Sequence, residues 1–257
     1  MSKMSKLIKS VALWLHQIHN NTYSSYKIRK YRLKPISPLT PKERNFYLKL
    51  RPALQGDSLI VYDVGAAEGN IAKCLAKLPN VLEVHAFEAI PTVCSNLEQQ
   101  VENIPKIHCH NIALGNFRGS SSMYISKNSD SSSLLPMSNL HTEEFHDTNI
   151  TNKIKVSVMC LDDFVKERGL SPPHLIKIDT QGFEKKIVEG GLETVRQAKY
   201  CMLEISFKPL YQGSPVFDDV YRLMYDLGFR LVGTSKPMLG ESGIPLQVDG
   251  MFENQSK

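Results

Sequence analysis

Asp63, Gly65, Gly69 and Glu88 are the first residues whose types and spacing can do chemistry. Residues 59–69 read Leu-Ile-Val-Tyr-Asp-Val-Gly-Ala-Ala-Glu-Gly, and Phe87-Glu88 ends the next apolar segment. Glycines let a backbone approach a ligand closely, and two carboxylates can receive an amine and a pair of ribose hydroxyls. A strand running into such a turn, then a helix, then a second strand ending in an acid, is the opening half of an open α/β sheet. The spacing Asp-x-Gly-x-x-x-Gly departs from the Gly-x-Gly-x-x-Gly of dinucleotide sites, and no Gly-Lys-Ser/Thr run marks a phosphate loop. S-adenosylmethionine (SAM) suits these residues better, because its adenosine offers the hydroxyls, its methionine part offers the amine, and it carries no pyrophosphate. An ordinary strand-end turn stands beside this reading, since glycine and acid are both common there.

A second group lies further along the chain. Asp179 follows the apolar run His174-Leu-Ile-Lys-Ile178, Glu184 opens the next helical stretch, and Glu204 lies near the end of Tyr200-Cys-Met-Leu-Glu-Ile205. Ligands of open α/β sheets bind at the carboxyl ends of the strands, where Asp63, Glu88, Asn111 and Asp179 are all expected. Asp63 can accept from an amine, directly or through water, and Glu88 from two ribose hydroxyls. Asn111 can either meet an adenine edge or close an ordinary turn. Asp179 is the first candidate for orienting or deprotonating an acceptor hydroxyl, and Glu184 is the second, unless it only caps its helix. Glu204 can join Asp179 against the same acceptor. No fixed metal-ligand spacing is present, and His108 and His110 read as residues on alternating faces of a strand.

The elements that must position these groups follow from hydrophobic periodicity. Strands are expected at 58–64, 82–87, 106–112, 153–158, 174–178, 200–205, 229–232 and 246–252, with a short edge strand at 121–125. Helices are expected at 69–78, 92–101, from Asp162 to a stop at Gly169, at 183–196 with a bend at Gly190-Gly191, and at 216–227. Residues 126–150, rich in serine and other turn formers, read as a flexible loop or substrate lid, with a simple surface insertion as the alternative. The sum is an α/β protein with a largely parallel sheet and a late antiparallel strand.

Three segments together resemble the FkbM family of SAM-dependent methyltransferases: Val61-Tyr-Asp-Val-Gly-Ala-Ala-Glu-Gly-Asn70, Phe87-Glu-Ala-Ile-Pro91 and Leu175-Ile-Lys-Ile-Asp-Thr-Gln-Gly-Phe-Glu184. Asn111-Ile-Ala-Leu-Gly115, Ser132-Ser133 and Asp249-x-x-Phe252 extend the resemblance over roughly residues 58–252. It implies a class I SAM-dependent methyltransferase fold, Rossmann-like, with a mostly parallel seven-stranded sheet. It also implies O-methylation of sugars, glycolipids or small natural products. Gln181 stands where the family pattern Asp-x-Glu-Gly-x-Glu carries an acid, which weakens any base or metal role for that position; Asp179, Gly182 and Glu184 match. RNA or protein methylation, or a non-catalytic SAM-fold interaction module, are the other functions weighed.

At 257 residues and 42% hydrophobic composition the chain can bury one sizeable core. The division expected is a basic helical extension over 1–57 and a methyltransferase domain over 58–257. The net charge of +5 conceals an asymmetry: residues 1–41 hold eight Lys/Arg and no Asp/Glu, leaving the rest of the chain at −3. Within the extension Leu7, Ile8, Val11, Leu15 and Ile18 can line one helical face beside Trp14, suited to docking on the core, to peripheral membrane contact or to an acidic partner. The cluster Lys27, Arg29, Lys30, Arg32 and Lys34 lacks interleaved recognition motifs, so nucleic acid is a weak expectation. Five dispersed cysteines without a Cys-x-x-Cys pair, no long apolar run and no signal peptide point to a cytoplasmic protein.

Overall fold

The computed structural model describes residues 49–56 and 58–257. The amphipathic face around Trp14 and the basic cluster at 27–34 lie outside the described residues. Residues 49–56, assigned from the sequence to the extension, pack with the domain: Leu50, Ala53 and Leu54 are buried in the core beneath the sheet.

Four apolar strands build the centre of that sheet. They are β1 (Leu59–Val64), β2 (Val81–Phe87), β7 (Leu175–Ile178) and β8 (Tyr200–Ser206). β1 pairs in parallel with β2 on one side and β7 on the other, β7 pairs with β8, and β3 (Ile107–His110) extends the parallel edge beyond β2. The long β11 (Pro245–Asn254) runs antiparallel to β8, and its other edge takes β9 (Phe229–Thr234) and the two-residue β10 (Met238–Leu239), both antiparallel. The order is therefore β3-β2-β1-β7-β8-β11, with β9 and β10 outermost. This is the class I methyltransferase arrangement expected, with β10 as an eighth strand. Strand order reverses between β1 and β7, and a crevice opens at their carboxyl ends.

Parallel strands must be covered on both faces, and the alternation of side chains does this. Leu59, Val61, Leu175 and Met202 pack on one face with α1 (Asn70–Ala76) and with Leu50, Ala53 and Leu54. Tyr62, Val64, Ile176, Ile178, Leu203 and Ile205 pack on the other with α4 (Leu161–Arg168), α5 (Glu184–Glu189), α6 (Leu192–Gln197) and α7 (Phe217–Asp226). α2 (Pro91–Val101) begins on its proline, which costs no hydrogen bond at a helix start. Gly169 ends α4 in the left-handed region, as its position predicts. The bend at Gly190-Gly191 is a full break into α5 and α6, because Gly190 lies against the Gly115 carbonyl and Gly191 against Leu161.

Three expectations are corrected. The strand at 106–112 is split: β3 stops at His110, and β4 (Ala113–Gly115) joins a separate three-stranded sheet with β6 (Ile150–Cys160) and β5 (Gly119–Ser126). His108 and His110 do not lie on alternating faces; two residues apart on a strand, they share one face, and their rings stack on His85 at 5.1 and 5.3 Å. Residues 126–150 are not a loose loop. Ser133 bridges to Tyr124, Met137 bridges to Tyr211, α3 (Asn139–Glu144) buries His141, and the segment stands as a wall. Among the described residues no helix is long and apolar enough to cross a membrane.

Gly65 fixes how β1 meets β7. Its φ is +74°, and a Cβ there would lie 1.9 Å from the Asp179 carbonyl oxygen. Gly169, at φ +62°, has nothing within 4 Å of the same position. Gly65→Ala is therefore expected to destabilise by about 3 kcal/mol or more, and Gly169→Ala by about 1 kcal/mol. Thermal denaturation of the two variants side by side checks this; equal losses would remove the close-approach argument.

Candidate active site at the carboxyl ends of β1, β2 and β7

The turn after β1 is built to bring backbone close to neighbouring elements. The Gly65 and Ala66 amides both donate to the Phe87 carbonyl at 3.0 Å, which clamps the turn to the end of β2. Ala67 takes a positive φ of 47°, and Gly69, at φ +70°, presses against Leu97 and starts α1. Glu88, 6% exposed, accepts from the Ala67 amide at 2.9 Å through Oε2 and from the Ile90 amide at 2.8 Å through Oε1. Each carboxylate oxygen keeps a further lone pair for an incoming hydroxyl. Burial pushes the Glu88 carboxyl above its ordinary range, and the Ile90 and Ala67 amides oppose that.

Across the crevice, β7 delivers Lys177 and Asp179 to the face that also carries Asp63. Register pairs Asp63 with Lys177 and Glu204 with Asp249, and since Met202 stands across from Lys177 the two pairs lie in neighbouring rows of one sheet face. Lys177 Nζ lies 3.2 Å from the Gly65 carbonyl, 3.3 Å from Asp63 Oδ1 and 3.5 Å from Asp179 Oδ2. Burial opposes its charge, but Asp179 and Asp63 outweigh burial and hold the ammonium well above the usual lysine range. Asp63 has no exposure, and neither carboxylate oxygen has a hydrogen-bond partner; burial pushes its carboxyl up while Lys177 pulls it down.

Gln181 ties the acids together. It sits in the left-handed region at φ +60°, uncommon for a side-chain-bearing residue. Its Nε2 donates to Asp179 Oδ1 at 3.1 Å and to Glu204 Oε2 at 2.9 Å, and its Oε1 accepts from the Tyr211 hydroxyl at 2.9 Å. Ser133 donates to the Gln181 carbonyl at 2.7 Å, so the 126–150 wall is fastened to this turn. Gln247 also donates to Glu204, at 3.0 Å. Burial, then Asp179, Glu184 and Asp249, drive the Glu204 carboxyl well above its ordinary value.

One cleft is lined both by Gly65, Ala67 and Glu88 on one side and by Asp179, Thr180 and Gln181 on the other. Phe87, Ile90, Ile112, Leu134 and Phe183 supply apolar walls, and Ser129, Asp130 and Ser132 form part of the rim. The space between these walls, open solvent at its mouth included, is about 580 Å³. The residues fit SAM: a carboxylate with open lone pairs sits beside apolar surfaces, and a buried carboxylate without a hydrogen-bond partner stands behind the glycine turn.

The profile of the FkbM methyltransferase domain matches residues 63–231, more than half of the chain. The chain belongs to the FkbM methyltransferase family. It thus carries the domain of a SAM-dependent methyltransferase. The 2-O-methyltransferase NoeI of Sinorhizobium fredii is 24% identical over 160 residues, which are 60% of this chain and 66% of NoeI. The solved FkbM methyltransferase of Methylobacillus flagellatus KT aligns over 93% of this chain and 50% of its own, with 13% identity and a TM-score of 0.47. The precorrin-6y C5,15-methyltransferase of Geobacter metallireducens aligns over 87% of this chain and 93% of its own, with 12% identity and a TM-score of 0.48. The chain therefore spans just under two thirds of NoeI and half of the solved FkbM protein.

Within the FkbM domain the residues singled out from the sequence separate into three sets. Gly65, Glu88 and Asp179 line the cleft. Asp63 and Glu204 stand behind it in the polar rows, and Glu184 accepts from the Thr180 amide at 2.8 Å, the Thr180 hydroxyl at 3.2 Å and the Gly182 amide at 3.2 Å. Glu184 thus shapes the turn that presents Asp179. Asn111 and Gly69 serve neighbouring backbone and packing: the Asn111 amide donates to the Glu88 and Ala89 carbonyls, and Gly69 gives room to Leu97. Sequence reasoning passed over Lys177, although a lysine inside an apolar strand, two residues before an acid on the same face, was a readable signal. It also passed over Tyr211 and Gln247, which no local pattern marks.

Burial raises the Glu184 carboxyl to about 7, against the amides of its own turn. A carboxyl raised in the folded state contributes stability that is complete below the unfolded value near 4.5 and is lost as pH rises toward 7. Glu184→Gln keeps an acceptor for the turn and removes the titration. The variant should gain stability relative to the unmodified protein by about 3 kcal/mol between pH 4.5 and 7.5, measured by denaturant unfolding across that range. Parallel pH curves for the two proteins would contradict the buried-carboxyl account.

Proposed function

We propose that the chain is an O-methyltransferase that moves the methyl group of SAM to a hydroxyl of a sugar, glycolipid or small natural product. The observation that carries this reading is the shared cleft: Glu88, suited to ribose hydroxyls, and Asp179, suited to an acceptor hydroxyl, line the same cavity. The name of the relative NoeI, a 2-O-methyltransferase, supports oxygen as the methylated atom.

When bound, SAM supplies an electrophilic methyl group on sulfur, and S-adenosylhomocysteine is the product left behind. The chain's own residues do the rest. Glu88 would accept the ribose hydroxyls at the lone pairs that Ala67 and Ile90 leave open, and Phe87, Ile90 and Ile112 would exclude water from the cleft. Asp179, whose side chain is 33% exposed, offers the acceptor hydroxyl a lone pair not used by Lys177 or Gln181. Asp179 would take the hydroxyl proton as the oxygen receives the methyl group that bound SAM would supply. Positioning of this kind can supply roughly 7–11 kcal/mol of a barrier, so a modest base suffices. Glu204 and Glu184 support Asp179 from behind rather than lining the cleft.

Among the described residues the cleft lining holds Glu88, Asp130 and Asp179 and no Lys or Arg, which favours an uncharged acceptor over a polyanion such as RNA. A cytoplasmic setting, with the basic extension over residues 1–57 as an accessory to docking or membrane contact, belongs to the same proposal.

Glu88→Ala should remain folded and lose at least about tenfold in SAM affinity by calorimetric titration, the effect of one lost charge-assisted contact. Equal affinities would remove the ribose assignment. Asp179→Asn keeps the size of the side chain and removes its charge. Methyl transfer, screened with carbohydrate, lipid, RNA and protein fractions and labelled SAM, should fall by about 10²–10⁴ while SAM affinity changes little. Undiminished transfer across pH would shift the role to acceptor positioning alone.

A further inference from the structure

Lys177 is a charged residue in the middle of a buried sheet face, 4% exposed, where its neighbour across β8 is Met202. An apolar side chain of similar length would fill that space without the cost of desolvating an ammonium. An ammonium has three hydrogens and no acceptor, and three oxygens surround this one: Asp63 Oδ1 on β1, the Gly65 carbonyl in the cofactor turn, and Asp179 Oδ2 after β7. One side chain thus connects the turn that meets the cofactor to the acid that meets the acceptor.

We propose that Lys177 is a positioning residue that pairs with the Asp179 carboxylate and fixes its direction, with its own place set by Asp63 and the glycine turn. The inference rests on Asp179 as the acceptor-facing acid. The second oxygen of Asp179 is held by Gln181 Nε2, so one cation and one amide define the plane of the carboxylate.

The groups around Asp179 show why this lysine matters. Asp63 on β1, Glu184 on α5, Glu204 on β8 and Asp249 on β11 all place carboxyls in its neighbourhood, and Tyr211 adds a hydroxyl through Gln181. Each acid disfavours charge on the others. Lys49 neutralises Asp249 at 2.7 Å, and among the described residues Lys177 is the cation within 4 Å of Asp179. Without it Asp179 would share its surroundings with acids and an amide. With it, the acid that reaches the cleft has a cation at 3.5 Å, while Glu204 behind it is pushed toward its neutral form.

The test follows the carboxyl carbon of Asp179 by NMR in protein labelled with ¹³C at aspartate side chains, assigned by loss of the signal in Asp179→Asn. In Lys177→Met the pH at which this signal moves should rise by about one to three pH units, and in Lys177→Arg it should stay near that of the unmodified protein. An unmoved transition in Lys177→Met, or an equal rise in Lys177→Arg, overturns the proposal. If Lys177→Met does not fold, the double variant Asp63→Asn with Lys177→Met, which removes both charges of the buried pair, replaces it, and its Asp179 transition should lie above that of Asp63→Asn alone. No difference between the double variant and Asp63→Asn then overturns the proposal. These measurements need no acceptor, so a failed transfer test with Asp179→Asn would reject the functional reading and leave this result separately readable.

Discussion

A single buried charge organises the centre of this protein. Lys177 enters a sheet face otherwise closed by Leu59, Val61, Leu175 and Met202, and it is tolerable there because two carboxylates and a carbonyl surround its ammonium. The arrangement works in both directions. Asp63, wholly buried and without a hydrogen-bond partner, would be an uncompensated acid if the lysine were apolar. The lysine in turn needs Gly65, because only a residue without a Cβ lets the β1 turn lie against the Asp179 carbonyl. Sheet order, glycine turn and ion cluster are thus mutually dependent, and the crevice lies where β1 and β7 diverge.

Around this centre the fold adds a second layer of constraint. Gln181 accepts a strained backbone conformation and is repaid by four hydrogen bonds, two given by its amide, one accepted by its side-chain oxygen and one by its carbonyl. Its identity matters electrically. Where the FkbM pattern has an acid, the amide here donates to Asp179 and Glu204 together; a carboxylate at this position would add a third negative group and lose both donations. The wall formed by residues 126–150 is fastened to the same residue through Ser133, and its Ser131 carbonyl lies 3.0 Å from the Tyr211 hydroxyl, competing with Gln181 Oε1 for the single hydrogen there. His141 continues the network inward: it lies 3.2 Å from the Tyr211 hydroxyl, and burial lowers its basicity, so it serves as a neutral partner.

What was legible in the sequence was what depends on local pattern. The strands β1, β2, β7 and β8 are runs of apolar and β-branched residues with acids at their carboxyl ends, and that pattern places Asp63, Glu88 and Asp179 before any contact is known. The αL stop at Gly169 and the break at Gly190-Gly191 are equally local, since they follow from glycine's freedom of backbone angle and its missing side chain. The FkbM motifs carried the family assignment on the same segments.

Tertiary structure alone decided which of those residues share a surface. Glu88 and Asp179 come from strands separated by β1, and only the parallel register of β2, β1 and β7 brings them to one cleft. Glu184 turns inward to shape the Thr180–Gly182 turn, and Asn111 turns to the Glu88 backbone, because hydrogen-bond donors and acceptors across the turn were closer than the cavity. The serine-rich stretch became a wall because its partners, Tyr124, Gln181 and Tyr211, lie outside it in sequence. Periodicity reports which face a residue occupies; it carries no information on which distant group waits there, and for Lys177, Gln181 and Tyr211 that distant group is the whole of their role.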